Sequence, residues 1–157
     1  DTVFLTQRSG LDSVCLDRRE GTFPIKTFTL EIGMRRPLGV GTGSLAILSA
    51  LPEDEIQKVV GANSGRLPEY GLNPGTLFTQ VKRSQKLGYA MREVPGLAGV
   101  RSVGQALRNQ SGIAFAALSV STITSRMSDK RATEVALLLK GESRQIERQL
   151  ASGAEHR

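Results

Sequence analysis

The chain is short of the side chains from which most enzyme centres are built: one cysteine, one histidine and no tryptophan, with two tyrosines and five phenylalanines as its only aromatics. His156 stands in a polar tail and Cys15 in a strand-like run, so no nucleophile–base pair and no zinc-ligand spacing can be read. No metal, no cofactor and no catalysis are expected. A single thiol also excludes an internal disulfide framework; Cys15 reads as a small core residue, and the compartment as the reducing cytoplasm. No apolar run approaches the roughly 20 residues of a membrane span, and no charged-then-apolar leader opens the chain.

The charge balance is +6 over 157 residues. A basic surface attracts phosphates by counterion release, but here the arginines and lysines come in scattered pairs (Arg18-Arg19, Arg35-Arg36, Lys82-Arg83, Lys130-Arg131), often beside acids. That distribution describes a solvated surface rather than a nucleic-acid footprint. Length and a hydrophobic content of 39% support one core and one domain, residues 1–151, followed by a polar tail at 152–157. The chain opens at Asp1 in a strand pattern without an initiator Met, as a domain cut from a longer protein would.

What the sequence does have is a glycine-rich entry to an apolar helix, PLGVGTGSLAILSA over residues 37–50, with glycines at 39, 41 and 43. Glycine lets a backbone approach a ligand closely, and the first N–H groups of a helix point outward at its positive dipole end. Gly43 is followed by Ser44 and Leu45, not by Lys and Ser/Thr, which excludes a phosphate loop; the GxGxG spacing after Arg-Arg-Pro does not fit a dinucleotide fingerprint. A cradle for a small acid remains, against the alternative of a plain turn before a core helix.

Along the chain, residues 2–7 and 13–17 read as a hairpin around Ser9-Gly10-Leu11-Asp12, and 17–21 as a charged loop. Phe28, Leu30 and Ile32 alternate with polar residues, predicting a strand over 26–32. Leu45, Leu48 and Leu51 mark a short helix stopped by Pro52, which opens a second helix through Ile56, Val59 and Val60; residues 63–71 read as a loop. Asn73-Pro74 caps a third helix that ends at Gly88. A strand follows at 89–93, then a Pro- and Gly-containing flap at 94–99, then a hairpin of 100–107 and 113–121. In its second arm Phe115, Ala117, Ser119 and Ser121 share one face, setting two hydroxyls side by side above small residues, as in a pocket floor. Ser128 caps a final helix with Val135, Leu138, Leu139, Ile146 and Leu150 as its buried stripe. Arg92, or one of the adjacent pair Arg101 and Ser102, could reach a ligand on this floor; in a regular strand Arg101 and Ser102 face opposite sides.

Five blocks in this order, DRREG at 17–21, RRPLGVGTGSLAILSALP at 35–52, GY at 88–89, PGLAGVRSVGQAL and AALSVS, resemble the C-terminal effector-binding domain of the IclR family of bacterial transcription regulators. The resemblance implies an α/β domain of the α+β type, profilin-like or GAF-like, with a curved antiparallel sheet flanked by helices. It implies a small carboxylic or aromatic acid as effector, held by amides matching Gly41 and Thr42 and by hydroxyls matching Ser119 and Ser121, with Ser102 at a polar or thiol position. Arg92 falls where part of the family has an acidic pocket residue, so the effector's identity does not carry over. The resemblance further implies assembly with itself as a dimer or tetramer, and contact with DNA only through an N-terminal winged helix-turn-helix that this chain lacks. The expected function is therefore ligand sensing for a transcription regulator, of either sign. A small-acid enzyme on a similar sheet and a purely oligomerising domain are the alternatives.

Overall fold

A computed structural model describes residues 1–25, 30–93 and 99–155 of the chain. Strands β1 (Thr2–Ser9), β2 (Asp12–Glu20), β3 (Arg35–Pro37), β4 (Ala90–Glu93), β5 (Val100–Arg108) and β6 (Ala114–Ile123) form one curved antiparallel sheet in the order β3-β2-β1-β6-β5-β4. Helices α1 (Thr42–Ser49), α2 (Glu53–Asn63) and α3 (Pro74–Leu87) lie on one face, and α4 (Asp129–Glu155) lies on the other. The α+β class expected from the sequence is thus the one observed.

Local chemistry explains most boundaries. Asn73 accepts from the Thr76 N–H while Thr76 Oγ1 accepts from the Asn73 N–H, a reciprocal cap that starts α3, and Gly88, at φ 84°, ends it. Pro52 caps α2, whose first turn carries Glu53, Asp54 and Glu55 at the positive end of the dipole. The Ser128 hydroxyl accepts from the Arg131 N–H at the entry to α4. Period-two alternation then gives each strand two faces. Val103 and Val120 pack beneath Ala132, Val135, Ala136 and Leu139 of α4, while Ala117 belongs to the larger core of α1, α2 and α3.

Several elements differ from the sequence reading. The charged run at 17–20 is strand, because Asp17, Arg18, Arg19 and Glu20 pair with Leu5, Phe4, Val3 and Thr2. Of the strand expected over 26–32, residues 26–29 lie outside the described residues; Leu30 and Glu31 are not strand, and Ile32 is 61% exposed in a turn. Here the Gly33 N–H, in the turn, donates to Cys15 O, and ladder pairing with β2 begins only in the short edge piece β3, from Arg35 to Pro37. In the expected loop at 63–71, Asn63 closes α2 with its Nδ2 donating to Leu11 O, and Leu67–Tyr70 forms a 3₁₀ turn with Leu67 fully buried. On α4 the buried stripe is Ala132, Val135, Ala136 and Leu139, whereas Leu138 and Leu150 are exposed, since the sheet is covered by only one narrow side of the helix. The α4 backbone stays helical through Glu155, past the start of the expected tail.

Helix α1 is not amphipathic: every residue from Thr42 to Leu48 is buried. Its start presses on the sheet, where a Cβ on Gly104 of β5 would lie 2.9 Å from Thr42 O. Gly104→Ala should therefore destabilise the domain by about 1–3 kcal/mol by overpacking against backbone. Gly61→Ala, in the interior of α2 with open space around it, should stabilise by about 0.5–1 kcal/mol. Urea denaturation of the two variants checks both signs; equal effects would contradict the close approach at Gly104.

Candidate functional site

The glycines that lead into α1 have separate reasons. Gly39 has φ 104° and no room for a Cβ, which would meet Leu48 Cδ2 at 2.7 Å; Gly41, at φ 95°, occupies the N-cap position without a side-chain cap. Gly43 seats the helix start on the sheet, its missing Cβ position being 3.1 Å from Thr6 Oγ1 and 3.5 Å from Ser119 Oγ. The first backbone bond of the helix runs from the Leu45 N–H to Gly41 O at 2.8 Å, so the N–H groups of Thr42, Gly43 and Ser44 have no acceptor within the helix. The Ser44 hydroxyl is already engaged, accepting from the Gly39 N–H at 2.8 Å. Its work is to hold the loop.

Beneath this helix start the strand register sets polar side chains in rows. Arg92 of β4 pairs with Ser102 of β5, Ser102 with Ser121 of β6, and Ser121 with Thr2 of β1. One step along, Ser119 lies between Gly104 and Phe4, and Thr6 pairs with Cys15 of β2. Ser102, Ser119 and Ser121 are all buried. The space between helix start and sheet is a cavity of about 540 Å³, within the range of small-molecule sites.

Six of the seven residues expected at the site line this cavity: Gly41, Thr42, Ser102, Ser119, Ser121 and Arg92. Arg101 does not. It lies on the opposite face, where its guanidinium donates to Met127 O at 2.8 Å and to Asp129 at 2.6 Å, tying the entry of α4 to β5. The alternation that turns Ser102 inward turns Arg101 outward. The wall formed by Thr6, Ser13, Cys15, Arg36 and Tyr70 was not expected. Its signal was the alternation of β1 and β2, but the face that meets α1 is set by pairings distant in sequence. Of the flap, residues 94–98 lie outside the described residues.

The cavity is electropositive. Burial draws the Arg92 guanidinium down to about 10, with the nearby Arg36 adding like-charge repulsion, and Arg92 Nη1 is buried without a hydrogen-bond partner. Burial also lowers Arg36. Arg92 still carries its charge at neutral pH. A site of helix amides without an acceptor in the helix, buried hydroxyls and the Arg92 guanidinium can bind and orient an anion. Among the described residues no three His, Cys, Asp or Glu side chains gather as metal ligands, and no helix is long and apolar enough to cross a membrane.

The profile of the bacterial transcriptional regulator IclR C-terminal domain matches residues 1–148. The chain belongs to the IclR family. Among curated IclR relatives, it is 24% identical over 156 residues to the HTH-type transcriptional regulator KipR of Bacillus subtilis, covering 96% of this chain and 60% of that protein. It is 23% identical over 148 residues to the HTH-type transcriptional repressor AllR of Escherichia coli, covering 93% of this chain and 54% of the relative. The chain thus spans little more than half the length of these relatives. Among solved structures, Thermotoga maritima IclR superposes with a TM-score of 0.82 at 25% identity, covering 95% of this chain and 61% of that one. The Agobacterium tumefaciens repressor BlcR shares the fold, with a TM-score of 0.75 at 24% identity over 95% of this chain and 59% of its own.

Cys15, taken from the sequence as a core residue, is buried but lines the cavity beside Thr6. Burial raises its thiol above 9.0, a shift that Arg18 opposes. A thiol raised in the folded state contributes stability that is present below its unfolded value and lost as the pH climbs through the folded one. Cys15→Ala should therefore reduce the loss of stability above about pH 9 relative to the parent. Denaturant midpoints measured from neutral to alkaline pH check this; parallel curves would show that the thiol does not titrate late.

Proposed function

We propose that this IclR-family domain is the ligand sensor of a longer transcription regulator and binds a small carboxylic or aromatic acid in the cavity under α1. The carboxylate rests on the amides near Gly41 and Thr42, and the distal polar groups of the acid meet Ser102, Ser119 and Ser121. The observation that carries this reading is the convergence of acceptor-free helix N–H groups and buried hydroxyls on one cavity. The positive end of the α1 dipole and the Arg92 charge both favour an anion there. That KipR and AllR are regulators of the HTH type supports a DNA-binding module in the same polypeptide, so that this domain meets DNA only through it.

Binding regulates by linkage. An acid that fits one arrangement of a self-associated dimer or tetramer better than another shifts the population toward it and changes the affinity of the attached module for DNA. The sign of that change, activation or repression, belongs to the geometry of the whole regulator.

Replacing Ser119 and Ser121 together by Ala should weaken binding of a responsive acid about 10-fold or more, as expected for lost hydrogen bonds to a charged ligand. The thermal midpoint of the free domain should stay nearly unchanged. A thermal-shift screen of carboxylic and aromatic acids, followed by titration of parent and variant, reads both quantities. Undiminished affinity in the variant would contradict the proposed pose. A large stability loss would make the hydroxyls structural. Turnover of an acid or ester would favour an enzyme, and silence across a broad panel a purely oligomerising domain.

A further inference from the structure

We propose that the effector carries two anionic groups, a dicarboxylate in chemical class, with one carboxylate on the α1 amides and the second held by Arg92 at the far end of the cavity. The inference rests on the acid-sensing reading above and adds to it the charge and the reach of the ligand.

Arg92 stands on the edge strand β4, pairs with Ser102, and lines the cavity with a buried Nη1 that has no partner. Leaving a buried charged donor unpaired is costly. A second guanidinium, Arg36 of β3, lines the same cavity from the opposite edge of the sheet and repels the first. The lining holds one carboxylate, Glu69, and it is exposed on the 3₁₀ turn. No cavity anion of the protein's own therefore answers Arg92 among the described residues.

A carboxylate seated on the Gly43 and Ser44 amides does not answer it either. Gly43 of that cradle stands over Thr6 and Ser119 and Thr42 over Gly104, whereas Arg92 lies two strands from Ser119, one strand from Gly104, and one same-face step along. With strands about 4.8 Å apart and same-face neighbours about 6.8 Å apart, the separation between Cα atoms is on the order of 12 Å from Ser119 and about 8 Å from Gly104. The arginine side chain closes part of that gap, and the carbon skeleton of the ligand spans the rest. A one-carboxylate acid meets one end of the cavity. A two-carboxylate acid meets both, and its second group relieves the repulsion between the arginines as well as the missing hydrogen bond. Arginine's planar fork suits a carboxylate in two-point contact.

The test is calorimetric titration of the domain with succinate, glutarate, adipate and phthalate, each against its one-carboxylate counterpart butyrate, valerate, hexanoate or benzoate. At least one diacid should bind about 10-fold or more tightly than its partner, a margin set by one charge-assisted hydrogen-bonded pair. Arg92→Gln should erase that margin by weakening the diacid far more than the monoacid, while Arg92→Lys, which keeps charge but loses the fork, should retain part of it. Because the substitution removes an unpaired buried cation, the free Arg92→Gln domain should melt no lower than the parent. Equal binding of diacids and monoacids, unaffected by Arg92→Gln, would overturn the two-anion inference and leave acid sensing standing. Absence of binding by every acid of both series would overturn both.

Discussion

The close seating of one helix end on a sheet is the constraint on which the rest of this structure depends. Helix α1 is buried along nearly its whole length, and its first turn approaches β5 closely enough that Gly104 has no space for a Cβ beside Thr42 O. Glycines at 39, 41 and 43 supply positive φ or missing side chains on the helix side of the same contact. Docking of this kind fixes the N–H groups of Thr42, Gly43 and Ser44 above a floor of serines without using the amides up. Were α1 to stand farther out with a side-chain cap, the amides would be satisfied internally and the cavity would lose its directional donors.

The second consequence is electrostatic. A sheet wrapped on one face by three helices buries most of what points inward, yet this one admits Arg36 and Arg92 from its two edge strands. Burial, with repulsion from Arg36, makes the Arg92 cation, whose Nη1 has no hydrogen-bond partner, costly to hold. The opposite face treats its arginine differently. Arg101, the neighbour of Ser102, is fully engaged with Met127 O and Asp129 and serves to anchor α4. One strand thereby joins the cavity to the long helix on the far side through adjacent residues, Ser102 and Arg101.

Much of this was legible in the sequence wherever the signal is local. The β1–β2 turn, the Asn73 cap, the stop at Gly88 and the hairpin of β5 and β6 rest on turn and capping chemistry that needs no tertiary context. The glycine-rich entry to α1 and the shared face of Ser119 and Ser121 were legible for the same reason. What failed depended on pairing partners. Leu30 and Ile32 alternate as a strand would but find no ladder, while Asp17 to Glu20 look like a loop and are held as strand by β1. The stripe on α4 was misplaced at Leu138 and Leu150 because periodicity gives an apolar face without saying how much of it the sheet covers. Parity alone required one of Arg101 and Ser102 to face away. Deciding which needed the placement of Gly104 under Thr42, a contact between residues far apart in the chain. The wall of Thr6, Ser13, Cys15, Arg36 and Tyr70 is assembled in the same long-range way.

The most direct measurement of the central claim, that an anion is received by the start of α1 above the sheet, is a titration of the domain with a bound acid followed by amide chemical shifts. The amides of Thr42, Gly43 and Ser44 should show the largest downfield movements, as donors do on gaining a charged acceptor, and should saturate together with the Arg92 side-chain resonance. Saturable binding that leaves those amides in place and moves residues of α4 instead would contradict the account.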